Sequence, residues 1–415
     1  MRILFVNDVG RLIGGTEVLI QREIRGLQAR GHEVRTVVGR ERSQSVDFGD
    51  YTFHTPGESL PKIAMLYNPS ARKSVRRAVV DFDPDVVHYH TLSKASPSVL
   101  REAKGAVRVV SLHDYEVFYP HLPRVLPRAL VCAVGDFACC PEHAGSRYYI
   151  ERVRTAMKRR ELLKLGARAV PAASRHYFER VRTALMRREL LKLGAVVVPS
   201  EYVANVARSL GLRNVVVAPG SIPDAPRSPV AKKREVAYVG RLEPEKGVLE
   251  LIREFALVSA AVPDVRLVIA GTGSLDGAVR EAASALGDRV SVVGHVTPEE
   301  AQQIMARAAV SAVPSLWPEP FGLVGPESMA CGTPVVASGR GGMSEWLDDG
   351  HNGLRADPTE QGATAAALQR LLTDEEFRCR CVAGAIRTAA TFDIPTHAAK
   401  LEELYMRLLG RDTAR

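Results

Sequence analysis

Short β-branched runs alternate with helical patterns from the start of the chain. ILFVN (3–7) is followed by apolar positions at helical spacing through about 16–30, then by VRTVV (34–38), VVHYH (86–90) and VRVVSLH (107–113). Strand, helix, strand in this rhythm predicts a parallel sheet, because parallel neighbours need a crossover and a helix supplies it. A second series opens at EVAYVG (235–240) and continues through VRLVIAG (265–271), RVSVVG (289–294), VSAVP (310–314) and TPVVAS (333–338). The expected fold class is therefore α/β, with two doubly wound, Rossmann-like domains. Between the series lies SIPDAPRSPVAKKR (221–234), rich in Pro and Ser and ending in basic residues, the composition of a linker. The expected organisation is a first domain over 1–220, a linker over 221–234, a second domain over 235–390 and a C-terminal helix within 391–415. Leu401, Leu404, Tyr405 and Leu408 share one face of that helix, which suits docking on a neighbouring domain, with a return to the first domain as the expectation.

Size agrees with two domains, since 415 residues exceed the roughly 250–300 at which one core stops growing. Hydrophobic residues at 46% and charged residues at 25% exclude a disordered chain. No apolar run approaches the roughly 18 residues of a membrane span, and MRILFVND reads as a first strand rather than a leader. Six scattered cysteines are no disulfide framework, so a reducing cytoplasm is expected. A net charge of +9 asks for an anionic partner without saying which. No helix-turn-helix, RNA-binding sheet signature or finger spacing is present, and nucleic acid is not expected.

One segment repeats: SRYYIERVRTAMKRRELLKLGARAV (146–170) recurs as SRHYFERVRTALMRRELLKLGAVVV (174–198). Two copies make no solenoid. Each puts Val, Met or Leu on one side and Arg and Lys on the other, which suits an amphipathic surface helix. The readings are a tandem duplication with solvated basic faces, or peripheral contact with an anionic membrane surface, the inner membrane face included.

In open α/β sheets a ligand sits beyond the carboxyl ends of the strands, and candidate chemistry gathers there. Gly14 and Gly15 follow the first strand and precede a helix near Thr16, where backbone can approach a phosphate and helix amides can receive it. Their spacing with Gly10 is not that of a dinucleotide fingerprint, and a Gly-Gly pair also reads as a plain turn. EVAYVG runs into RLEPEKG, putting Arg241 past the strand end and Lys246 close behind. Two cations at this place suit a diphosphate; two solvated charges are the plainer reading. In VPSLWPEPFGLVGPESMACGTPVVAS (313–338), Glu319 lies in a loop and Pro326 and Gly332 bound a short helix, with Glu327 in its first turn. Glu327 there suits the vicinal hydroxyls of a ribose. Glu319, with the amides of Phe321, Gly322 and Leu323, suits a sugar.

PEPFGLVGPESMACGTPVVAS, VGRLEPEKGV and GGMSEWLDDGHNGL, in that order, resemble family 4 of the retaining glycosyltransferases, strongly over about 236–354 and weakly over nearly the whole chain. The resemblance implies the GT-B architecture, two Rossmann-like domains facing a cleft. It implies that Arg241 and Lys246 bind the donor diphosphate, Glu319 the donor sugar and Glu327 the ribose, with Gly14 and Gly15 in the N-terminal loop at the diphosphate and acceptor. Gly240 and Gly271, closing two strands of the second series, join this donor-binding set. His113, in VVSLHDY, matches a histidine that such enzymes place beside the donor sugar; with Arg241, Lys246 and Glu319 it completes the catalytic set. PGSIPD (219–224) departs from the family's usual Asn-Gly turn, and the duplicated segment has no counterpart there.

The implied reaction moves a hexose-type sugar from a nucleoside diphosphate sugar, as substrate rather than cofactor, to an acceptor that is a glycan, lipid or natural product. Configuration is retained through front-face attack. A nucleotide-sugar epimerase of the same fold and a catalytically idle anionic-surface binder are the alternatives. No metal is expected. His88 and His90 share a strand face without an evident third ligand. Asp81 and Asp83 belong to a strand entry, and the adjacent Cys139 and Cys140, with Cys132 and His143, strain tetrahedral geometry.

Overall fold

Among the described residues every strand pairing is parallel, in two sheets. The computed structural model describes residues 1–12, 14–41, 45–55, 66–115, 172–224 and 230–411, without the side chains of 172–180. The first repeat copy (146–170), Cys132, Cys139, Cys140 and His143, and positions 225–229 of the expected linker lie outside the described residues. Two compact units emerge: Met1–Val198 with Ala204–Ala218 and Ala398–Arg415, and Pro199–Val203 with Pro219–His397. Among the described residues no helix is long and apolar enough to cross a membrane.

The first unit holds β1 (Arg2–Asn7), β2 (Glu33–Arg40), β3 (Tyr51–His54), β4 (Val86–Tyr89), β5 (Val107–Ser111), β6 (Ala195–Val198) and β7 (Val215–Val217), in the order β3-β2-β1-β4-β5-β6-β7. Helix α1 (Gly15–Ala29) forms because Leu19, Ile20, Ile24 and Leu27 recur at helical spacing, and that face is buried against the sheet core around Ile3, Phe5 and Val86. Helix α2 (Pro69–Phe82) starts where Asn68 Oδ1 accepts the Ala71 amide at 3.0 Å, and it ends at Asp83 in a left-handed conformation. Asp81, on its last turn, pairs with Arg77 at 3.2 Å.

The second repeat copy supplies most of α3 (Ala172–Leu190) and all of β6. For the described part of the second copy, the structure corrects the expectation of solvated basic residues only in part: Arg188 is exposed, as expected, but Arg182 is not. Arg182 is 7% exposed and donates to Ser93 Oγ at 3.2 Å, Glu189 is buried beside Arg101, and β6 is an inner strand between β5 and β7. Arg182 is partly structural because the helix packs beside the turn at Pro97–Arg101, where Arg101 meets Glu189.

The second unit holds β8 (Lys233–Val239), β9 (Arg266–Ala270), β10 (Val290–Gly294), β11 (Ala308–Val313), β12 (Val335–Ala337) and β13 (Gly353–Arg355), in the order β10-β9-β8-β11-β12-β13. This is the strand order of the doubly wound dinucleotide fold. With α4 (Glu201–Ser209) preceding them in the chain, α5 (Val248–Ala261), α6 (Asp276–Ser284), α7 (Pro298–Arg307), α8 (Val324–Ala330), α9 (Ala363–Thr373) and α10 (Glu375–Ala389) connect or follow these strands. Its core is a continuous apolar cluster that includes Val236, Leu251, Phe255, Leu267, Ile269 and Leu368. Each such side chain contributes about 1.5–3 kcal/mol on burial. Helix α8 begins at Val324, so Pro326 lies inside its first turn, where the missing amide would have had no helical partner. Gly332, just past the helix, has φ +65°, as a C-terminal glycine should. Residues 219–232 group with the second unit, and β8 takes up Lys233 and Arg234. The last helix, α11 (Ile394–Leu408), belongs to the first unit from Ala398 on; Leu401, Leu404 and Tyr405 lie in the cluster of Ile3, Phe5 and Val86.

Candidate active site

Both strand orders reverse beside their first strands, between β1 and β4 and between β8 and β11, and the two polar clusters of interest stand at those switch points. In the second unit Gly240 and Arg241 follow β8 while Pro314 and Ser315 follow β11. Gly247, at φ +69°, lets the two loops touch: a Cβ there would stand 2.1 Å from the Pro314 carbonyl oxygen. The Leu316 amide donates to Glu245 O at 2.8 Å and ties the same loops together.

This junction brings Lys246 to Glu319, 73 residues away in sequence, with Nζ 2.7 Å from Oε1. Ser315 Oγ donates to the same oxygen at 2.5 Å. Glu319 is 5% exposed, and its loop is fixed because its carbonyl accepts the Gly342 amide at 2.8 Å. Lys246 also lies over the Trp317 ring, 5.2 Å from the centroid. A buried carboxylate held by an ammonium and a hydroxyl is oriented, able to accept from a ligand hydroxyl.

Arg241 is not part of that pair. Its guanidinium is largely exposed and lies 3.2 Å from Glu245 Oε1. Its carbonyl accepts from Tyr238 Oη at 2.8 Å, and burial pushes the Tyr238 hydroxyl well above its usual range, so it remains a donor. Gly240 and Gly271 meet directly: Gly271 has φ +140°, and a Cβ would stand 1.8 Å from Gly240 O. The Phe321 side chain is core, edge-to-face with Phe392 at 5.2 Å, while its carbonyl accepts from Trp346 Nε1 at 2.7 Å. Any ligand contact there uses backbone. Gly322 has φ +79°, Leu323 is the residue before α8, and Glu327 is half-buried in the first turn of α8.

In the first unit, Gly14 is extended and precedes α1, whose first residue is Gly15. Nothing lies within 4 Å of a Cβ at Gly15, so the fold itself does not demand glycine there. Close by, Asn7 and Asp8 end β1. Asp8 accepts the amides of Lys94 and Ala95, both at 2.7 Å, and Asn7 Oδ1 accepts from Thr91, so the loop after β4 hangs on the end of β1. Burial pushes the Glu17 carboxyl up, against hydrogen bonds from backbone and Asn7 that lower it. His113 follows β5 and lines a recess with His90, Thr91, Ser93, Asp114 and Arg182. His90 Nδ1 lies 3.1 Å from His113 Nε2. His88 is fully buried, between Tyr405 Oη at 2.5 Å and Ser111 Oγ at 2.8 Å. Among the described residues no three His, Cys, Asp or Glu side chains gather as a metal site. Ser315, Asn7, Asp8 and Glu17 escaped the sequence reading; the polar ending FVND of an apolar strand was the visible sign of Asn7 and Asp8.

Two doubly wound units with polar clusters at their switch points define a nucleotide-type α/β protein. Comparison with known families narrows this: the Glycosyltransferase Family 4 model matches residues 13–225 and the Glycosyl transferases group 1 model matches 223–388. The chain belongs to glycosyltransferase family 4. It is 35% identical over 205 residues to a glycogen synthase of Mycobacterium tuberculosis, 47% of this chain and 49% of that protein. It is 38% identical over 178 residues to a D-inositol 3-phosphate glycosyltransferase of Corynebacterium glutamicum, 41% of this chain and 42% of that protein. The chain thus spans about half the length of the curated relatives it matches. Among solved structures, a sucrose-phosphate synthase of Thermosynechococcus elongatus has a TM-score of 0.71 at 21% identity, covering 99% of both chains. Anabaena HepE in complex with UDP and glucose has a TM-score of 0.66 at 21% identity, covering 97% of this chain and 98% of that one. These likenesses show the GT-B fold.

Proposed function

We propose that the chain is a retaining, metal-independent glycosyltransferase that moves a hexose from a nucleoside diphosphate sugar to a hydroxyl of a glycan, lipid or natural product. The observation that carries this reading is the Lys246–Glu319–Ser315 cluster at the β8/β11 switch point. Glu319, held in place by Lys246 and Ser315, accepts hydrogen bonds from the donor sugar's hydroxyls. Lys246 and the exposed Arg241 neutralise the diphosphate as it leaves with increased negative charge, an effect that is strongest where water is excluded. Glu327 takes the ribose, and the glycine-lined turns at Gly14, Gly15, Gly240 and Gly271 let backbone approach the phosphates. The departing phosphate assists deprotonation of the acceptor, so the protein's part is positioning and charge stabilisation. This assigns the net positive charge an anionic small-molecule partner. Buried thiols at Cys331 and Cys381, both free, favour a reducing cytoplasm as the place of action.

Nucleotide release from UDP-, GDP-, ADP- and TDP-sugars, with and without chelator, tests the reading. Slow release from one donor, insensitive to chelator and lost in Glu327→Ala, is the expected result. A folded protein that neither binds nor turns over any donor would overturn it, and conversion of the sugar without an acceptor would make the chain an epimerase.

A further inference from the structure

The amino-terminal edge of the first unit's sheet carries a recess that the proposed reaction does not use. It is an open cavity of about 660 Å³ between the turn entering β5 and the end of α3, walled by Arg101, Lys104, Arg108 and Lys192. Among the described residues that line it, Glu189 is the carboxylate. All strands of this sheet point one way, so the recess lies at the edge opposite Asn7 and His113, and β5 separates the two edges by about 16 Å.

Glu189 cannot balance four cations. Its side chain is 3% exposed and accepts from Arg101 Nη2 at 2.5 Å and from Lys192 Nζ at 3.2 Å. Burial raises its carboxyl, but these two neighbours outweigh it and hold the group below its ordinary value. One negative charge is therefore shared between two cations. Arg108 donates to neutral groups, the carbonyls of Leu100 at 2.9 Å and Lys192 at 3.1 Å. Its guanidinium is fixed in direction while its charge stays uncompensated. Lys104 is exposed in the turn. The nearby carboxylates are engaged elsewhere, Glu102 by Arg72 and Arg76, and Asp85 by the Arg2 amide and Arg411. Three positive charges thus remain in excess around a space of the size that small molecules occupy. Glu189 and Lys192 come from ELLKLG (189–194) of the second repeat copy, so the repeat contributes to a site and not only to a solvated face.

We propose that this recess binds a phosphate-bearing ligand of two or three negative charges, separately from the clusters at the carboxyl ends of the strands. An oriented guanidinium offers paired N–H donors that match phosphate oxygens, and Lys104 and Lys192 add adjustable point charges. A carboxylate brings one negative charge and a phosphomonoester about 1.5–2, so phosphate is the group that answers the excess. Binding here does not depend on the transferase reading.

Hydrogen exchange of the full chain, followed by mass spectrometry with and without inorganic pyrophosphate, tests the assignment; physiological salt screens diffuse attraction. Peptides spanning 101–108 and 189–194 are expected to exchange more slowly with pyrophosphate present. Lys104→Glu, at an exposed position, and Arg108→Gln should each weaken that response about tenfold, the scale of one hydrogen bond to a charged group. Lys104→Glu should leave donor turnover as it was. Protection by pyrophosphate assigns the ligand to a soluble phosphate, and protection by phosphatidic acid vesicles alone assigns it to a lipid headgroup. Protection by neither, or a wild-type response in the folded Lys104→Glu variant, overturns the proposal. The exchange readout needs no turnover, so a failed transferase reading leaves it standing.

Discussion

Lys246 Nζ and Glu319 Oε1 meet at 2.7 Å, with Glu319 nearly sealed from water and Lys246 one-fifth exposed at its side chain. The pair is thus made before any ligand arrives, and each partner compensates the other's burial. Lys246→Met leaves a buried carboxylate held by Ser315 alone, which should destabilise the second unit by about 2 kcal/mol, below the range for fully buried pairs because Lys246 touches water. Adding Glu319→Gln should restore most of that loss. Denaturant unfolding of the single and double variants measures it, and additive effects would show that the pair is not coupled. Glu319→Gln alone should lower donor turnover about 100-fold.

Two glycines should respond in opposite ways. Gly271→Ala places a Cβ 1.8 Å from Gly240 O at φ +140°, and should cost about 3 kcal/mol of stability. Gly15→Ala meets nothing within 4 Å and should stabilise α1 by about 0.5 kcal/mol. On the proposed function its donor turnover should nevertheless fall about tenfold, because the added methyl would stand where that reading puts the phosphate. A thermal melt run beside the release assay separates the two effects. Unchanged release in Gly15→Ala would remove that residue from the site.

Tyr405→Phe deletes the hydroxyl bonded to His88 Nδ1 inside the first unit's core. With both residues fully buried, the cost should be about 2 kcal/mol, mostly from a ring nitrogen left without its partner. Chemical denaturation of the variant checks this value; wild-type stability would mean that the bond adds nothing.

Acid should loosen the last helix first. Burial raises the Glu402 carboxyl, but Arg30 and His32 outweigh it and hold the group below its ordinary value. A depressed folded pKa means stability present above the unfolded value of about 4.3 and lost as pH falls through the folded one. Hydrogen exchange of α11 between about pH 5 and 3 should therefore accelerate in the wild type and show a weaker pH dependence in Glu402→Gln. Equal pH dependence in both would exclude Glu402 as the group responsible.

β8, β9, β11 and β12 were legible because a strand covered on both faces reads as an uninterrupted apolar run; the edge strand β10, with Ser291 and Val293 exposed, was legible from its β-branched residues. β13 (GLR) and β7 (VVV) were not, being too short to carry a period. β6 was hidden by the duplication, whose repeat distracts from the AVVV that ends it. At the site, residue types at strand ends pointed to Arg241, Lys246 and Glu319, but nothing local says that Lys246 meets Glu319 while Arg241 turns to Glu245. That choice is made by the contact of Gly247 with Pro314, a tertiary event. Glu23 left a trace: it is the polar residue within the stripe of Ile20, Ile24 and Leu27, a burial that makes sense only once His90 is seen beneath it.

Tyr405, Leu404 and Leu401 share an apolar cluster with Ile3, Phe5 and Val86. On a translating ribosome, the sheet that holds β1 must wait for α11, which follows the whole second unit in the chain. The second unit has all of its residues by His397 and can close beforehand, so of the two units the one that starts earlier is completed later. For several hundred residues of synthesis the seam awaiting α11 is open, which makes the nascent chain, rather than the mature one, the form exposed to aggregation and to chaperones.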